Sequence, residues 1–264
     1  MRALPLSLLA LAAPASAHEF WISPLDYTPA AGEEAAADLR NGEEFEGGAL
    51  SYIPQRTERF EIWRGGAPAA VEGRVGDRPA LAPQALEEGL NVVVHETADN
   101  FVTYRELARF ARFANHKGFP EAVDRHVQRR LPEDEVIERY RRFAKSLIGV
   151  GDAEGADAPV GMRVELVALA NPYVDDVSDG MPVRLLRDGA PVADWQVELF
   201  QRLDGAVEIT LHRTDADGVA LLPVAPGAEV MADAVLIEAL DPATAPRGAQ
   251  WETLWANLTF AVPE

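Results

Sequence analysis

Pro132-Glu133-Asp134-Glu135-Val136-Ile137-Glu138-Arg139-Tyr140-Arg141-Arg142-Phe143-Ala144-Lys145-Ser146-Leu147 decides how this chain divides. A proline opens the stretch and acidic residues fill its first turn. Arg139, Arg141, Arg142 and Lys145 follow, the charge order that complements a helix dipole. Val136, Tyr140, Phe143, Ala144 and Leu147 recur at helical spacing and supply an apolar stripe. The stretch therefore predicts a helix, the third of a helical segment over 103–148. In the first, Thr103 and Glu106 are spaced as a capping box, and Leu107, Phe110, Ala111 and Ala114 follow until Lys117-Gly118 ends the run. Pro120 opens the second.

On both sides of this segment the texture is that of strands. Residues 33–102 fall into short runs broken by Asn41-Gly42, Gly47-Gly48, Gly65-Gly66 and Gly76-Asp77, with alternation in Arg59-Phe60-Glu61-Ile62-Trp63 and an apolar run over 90–94. After a Gly, Ala and Asp linker at 149–159, alternating or apolar runs return at 162–167, 182–186, 195–200, 209–212, 219–224, 230–239 and 251–262. Turns such as Asp188-Gly189 and Asp204-Gly205 separate them. The expected class is mainly β: a first antiparallel β-sandwich over 18–102, the helical segment, and a second sandwich over 160–264.

The 17 residues before the first sandwich read as a secretory leader, with Arg2 as the positive n-region, an apolar run at 4–13 and Ala15-Ser16-Ala17 as the cleavage site. No second run reaches membrane-spanning length, so the expected product is an exported periplasmic protein not embedded in the membrane. The chain has no cysteine, which removes thiolate metal sites and thiol catalysis and leaves stability to packing alone. Its formal charge of −19 repels nucleic acid and anionic lipid and attracts cations. No nucleophile elbow, phosphate loop, dinucleotide fingerprint or zinc-protease helix is present, so a non-enzymatic role is expected.

Cleavage after Ala17 makes His18 the first residue. A free α-amine and the imidazole Nδ1 of one residue close a chelate around a metal ion, a geometry that the uncleaved precursor lacks. The neighbouring Phe20-Trp21 pair would anchor that terminus. Further ligands must come from histidine or carboxylate. His126 in the second helix would face Glu138 on the third, an imidazole and carboxylate pairing common around metals. His95 ends an apolar strand at the mouth of a sandwich, and His116 lies at the end of the first helix, where the dipole favours a cation. His212 reads as a hairpin-arm residue, Asp215-Ala216-Asp217-Gly218 as a turn without the full ligand set of a calcium loop, and Asp175-Asp176 with Asp179 as a solvated acidic loop.

The chain resembles a family of exported bacterial proteins carrying a domain of unknown function and often described as nickel- or cobalt-uptake accessory proteins. The resemblance rests on His18-Glu19-Phe20-Trp21-Ile22, Asn41-Gly42-Glu43-Glu44-Phe45, Gly76-Asp77-Arg78-Pro79, Glu138-Arg139-Tyr140, Phe143-Ala144-Lys145-Ser146-Leu147, Ala170-Asn171-Pro172-Tyr173, Thr214-Asp215-Ala216-Asp217-Gly218 and Trp251-Glu252-Thr253-Leu254-Trp255-Ala256. It implies immunoglobulin-like or transthyretin-like sandwiches and periplasmic handling of a divalent transition metal (nickel, cobalt or copper), with a membrane transporter or outer-membrane receptor as partner. Two other readings stand beside it: a copper oxygenase in which His18 and a second histidine brace the metal, and a metal-independent interaction module of the cell envelope.

Overall fold

The computed structural model describes residues 18–264, and the leader and cleavage site expected at 1–17 lie outside the described residues. The first half of the chain forms β1 (Glu19–Pro24), β2 (Glu34–Glu43), β3 (Glu46–Leu50), β4 (Thr57–Arg64), β5 (Ala67–Ala70), β6 (Leu81–Ala85), β7 (Gly89–Thr97) and β8 (Asn100–Glu106). Helices α1 (Leu107–His116) and α2 (Ala122–Gln128) follow, and then β9 (Asp134–Val150). The second half contributes β10 (Val164–Ala168), β11 (Met181–Arg187), β12 (Ala190–Pro191), β13 (Gln196–Leu203), β14 (Ala206–Arg213), β15 (Val219–Leu222), β16 (Glu229–Ala239) and β17 (Trp251–Ala261). The protein is mainly β, as its alternation predicts, and no described helix is long and apolar enough to cross a membrane.

Three layers account for the packing. The middle layer is a nine-stranded sheet in the order β14-β13-β16-β17-β9-β7-β4-β5, with β8 also paired to β9. It draws on both halves of the chain. They meet at β17 and β9, the one parallel pair among the described strands, which runs from Trp251 opposite Glu138 to Thr259 opposite Ser146. One face is covered by the sheet β10-β11-β12 with β15, closing a core that includes Val92, Phe143, Leu147, Leu166, Leu199, Leu254 and Phe260. The opposite face carries the sheet β1-β2-β3 with β6 over Val93, Ala144 and Ile148, and beside it α1 and α2 over Val136, Val235, Trp251 and Trp255. The two sandwiches thus share their middle layer.

The third helix expected over 132–147 is instead β9, and the helical segment reduces to α1 and α2. Parity along β9 explains the outcome. Phe143 and Leu147 enter one core, while Val136, Ala144, Ile148 and Val150 enter those on the other face. Because the strand is hydrogen-bonded on both edges and covered on both faces, its period of two is written in which core each residue meets. The arginines read as a helix surface serve as sheet partners: Arg139 pairs with Glu252, and Arg141 with Glu96. The linker expected at 149–159 begins inside β9, and its Asp157 side chain is fully buried.

Candidate functional site

β1 is buried on both faces and crosses the middle sheet over β9 and β17, where the Thr259 hydroxyl donates to the Ile22 carbonyl at 2.7 Å. Phe20 and Ile22 enter one core, while Trp21 packs edge-on against Phe45. Trp21 also lies over Gly47, where a Cβ would come within 2.7 Å of the indole, so only glycine leaves it room.

Glu19, the first residue of β1, leads to the most heavily charged point of the interior. Its carboxylate lies 3.0 Å from the Lys117 ammonium, which also meets Glu198 at 2.8 Å and Asp233 at 3.5 Å and sits 4.9 Å above the Trp255 ring. The order is set by the sheet: Glu198, Asp233 and Asn257 are register neighbours on β13, β16 and β17. Lys117 comes from above, at the end of α1, where its amide closes the last turn on the Phe113 carbonyl. The Asn257 amide donates to Asp233 at 3.4 Å, and Gln196 links Glu198 to the His116 carbonyl.

Burial alone would drive the Lys117 proton off. The fields of Asp233, Glu198 and Glu19 outweigh it and hold the ammonium above its ordinary pKa. Asp233 goes the other way: burial, reinforced by Glu198 and Glu19, pushes its carboxyl up to about 7 despite Lys117. Among the described residues, Glu19, Glu198 and Asp233 are the group of three or more ligand-type side chains that converges, with oxygens within 4.8 Å of one another. Their centre belongs to Lys117, so a hard cation at oxygen-ligand distance would have to displace that ammonium.

His18 stands at the rim of this cluster. Its side chain is half exposed, and its Nε2 lies 3.6 Å from the Glu43 carboxylate. The backbone around it is fastened: the His18 carbonyl accepts from Arg142 at 2.9 Å, and the Glu19 carbonyl accepts from Asn41 at 2.7 Å.

The other expected ligands are not brought to His18. His126 is fully buried; its Nε2 donates to the Pro132 carbonyl at 2.8 Å and its Nδ1 accepts from the Trp251 indole at 3.1 Å, so both nitrogens are engaged. It does not face Glu138, whose two oxygens accept from the Tyr104 and Thr253 hydroxyls. That pairing was inferred from a helix, and the strand that replaces it points Glu138 elsewhere. Burial raises the Glu138 carboxyl to about 7. His95 is wedged between Phe20 and Phe60, its Nε2 lies 3.2 Å from the Thr57 hydroxyl, and burial pushes its pKa down to about 3. His116 is exposed on the last turn of α1. His212 pairs with Thr210 along β14, and Asp215 accepts from the amides of Asp217 and Val219, closing a hairpin turn.

Sequence reasoning missed Lys117, Glu198 and Asp233. The signal was present: Asp233 interrupts the otherwise apolar stretch 230–237, and a charge in a strand buried on both faces needs a partner.

Fold and cluster together define a class: a three-layer, mainly β protein whose N-terminal strand is locked to the core by a buried lysine and carboxylate cluster. The chain belongs to the family described as Domain of unknown function (DUF4198), whose model matches residues 15–238. No curated protein matches it. A solved structure, the crystal structure of a tetra-tandem repeat in the extending region of a large adhesion protein, is 12% identical with a TM-score of 0.20. The match covers 92% of this chain and 49% of that one, so the chain spans about half its length.

Proposed function

We propose that this protein is a non-catalytic metal-binding module of the cell envelope. In this reading His18, freed by removal of residues 1–17, takes a divalent transition ion through its α-amine and imidazole Nδ1 for delivery to a nickel- or cobalt-type uptake system. The observation that carries the reading is the fastening of the adjacent residue. A terminal chelate binds tightly only if its backbone is held, and Glu19 is held by Lys117, Asn41 and the pairing of β1 with β2. Glu43 adds support: with metal on Nδ1, its carboxylate faces the Nε2–H, the outer partner that orients a ligating imidazole.

The test is calorimetric titration of chain beginning at His18 with Ni²⁺, Co²⁺, Cu²⁺ and Zn²⁺, against chain carrying one extra alanine before His18. Tight binding to the first and weak binding to the second is expected. Affinity should fall with pH, as protons compete for both nitrogens, and Glu43→Gln should weaken binding about 10-fold. Equal affinity in the two chains overturns the reading.

A further inference from the structure

The chain contains two lysines, Lys117 and Lys145; every other basic residue that carries a fixed charge is arginine. Both lysines are buried against carboxylates, on opposite faces of the middle sheet. Lysine is normally a surface residue, so its confinement to these two positions asks what it offers there that arginine does not. Its nitrogen can shed a proton inside a protein and become a nucleophile, whereas guanidinium stays charged.

The two sites differ in what faces the nitrogen. Lys117 is shared among three carboxylates on three strands. Lys145 Nζ meets both oxygens of a single carboxylate, at 2.6 and 2.8 Å from Asp157, and both side chains have no exposed surface. Glu165 lies 3.9 Å from the same nitrogen and is itself buried. Backbone amides hold the electrophile: Ala158 donates to one Asp157 oxygen at 2.9 Å and Ala168 to the other at 2.8 Å. Glu165 is fixed by the amides of Val160 and Gly161.

We propose that Lys145 and Asp157 condense to an intramolecular amide between β9 and the loop leading to β10, with Glu165 carrying the proton. The Nζ–Cγ bond forms as one Cγ–O bond breaks. The ammonium gives up two protons, and both leave with the departing oxygen as one water. No oxidant, metal or cofactor is consumed. The remaining oxygen stays under a backbone N–H, which also stabilises the negative charge of the tetrahedral intermediate. Because both side chains are fully buried, the site also hinders hydrolysis of the product. Burial also raises the Glu165 pKa, which suits a group that must pick up and return a proton.

Mass spectrometry of the denatured full chain tests this. The expected mass is one water below that of the sequence. Trypsin should cut after Lys117 but not after Lys145, releasing a peptide over 143–163 that yields no backbone fragments between Lys145 and Asp157. Lys145→Arg, which cannot condense, should show the full mass; Glu165→Gln, whose single carbonyl oxygen keeps an acceptor for one of the two amides, should show it too while staying folded. Full mass and ordinary cleavage after Lys145 in the wild-type chain overturn the bond. So does a missing water that persists in Lys145→Arg, since that marks a succinimide at Asp157-Ala158. A bond that still forms in Glu165→Gln overturns the role given to Glu165.

Discussion

Lys117 shows how one cation can decide a local structure. Three buried carboxylates converge, and the ammonium between them offsets their desolvation and mutual repulsion. Lys117→Met should therefore be costly: uncompensated buried charge typically destabilises by about 3–5 kcal/mol, and urea unfolding monitored by tryptophan fluorescence would read the loss. A change below about 1 kcal/mol would mean that the carboxylates shed their charge without it. The sequence makes half of this visible. Asp233 stands out in an apolar run, but Lys117 reads only as the stop of α1, and nothing local says that the two meet. Their contact depends on α1 lying across β16, which pattern within a single element does not encode.

At the scale of elements, β9 is where local preference and tertiary context diverge. Its residues between Val136 and Leu147 include strong helix formers with dipole-matched charges, and in isolation those preferences have no competitor. The structure overrides them because β9 gains partners on both edges and apolar contacts on both faces, which a helix at that position would forfeit. A synthetic peptide covering 132–150 should consequently show the helical circular-dichroism pattern in trifluoroethanol although the protein folds it as a strand. A coil or β spectrum under those conditions would show that the strand is locally encoded after all. Elsewhere the elements are partly legible: α1 ends at Lys117-Gly118 and α2 starts just after Pro120, and β4, β7, β13 and β16 follow their alternating or apolar runs, but the capping box expected from Thr103 and Glu106 does not form, because both belong to β8 and α1 begins at Leu107 without a side-chain cap. Of the expected ligand set only His18 keeps the exposure a ligand needs beside a nearby carboxylate. His126 and His95 were spaced plausibly along the chain but belong to packed interiors.

Across the whole molecule, the buried titratable groups set a pH dependence opposite to that of a protein held by exposed salt bridges. Glu138, facing Tyr104, Thr253 and Arg142, and Asp233, facing Lys117, Glu198, Glu19 and Asn257, are both raised to about 7 by burial. The folded chain keeps these protons where the unfolded chain has released them. Their contribution is complete below the ordinary carboxylate range and lost as pH rises through 7. His95 acts in the other direction: held near 3, it stays neutral while the unfolded chain takes up a proton below about 6.5, so its contribution erodes only as pH falls past that point. Between pH 8 and 6.5 the two carboxyls act without that opposition, and stability should rise by roughly 1–2 kcal/mol on acidification. For a chain of this size that corresponds to a melting temperature higher by roughly 3–6 °C, measurable by calorimetry at constant ionic strength. Replacing both groups in Glu138→Gln with Asp233→Asn should flatten the slope over this range while leaving the acid-side decline intact. A wild-type melting temperature that climbs with pH between 6.5 and 8 would mean that these carboxyls are ionised in the folded chain, and that the cluster around Lys117 carries its full negative charge.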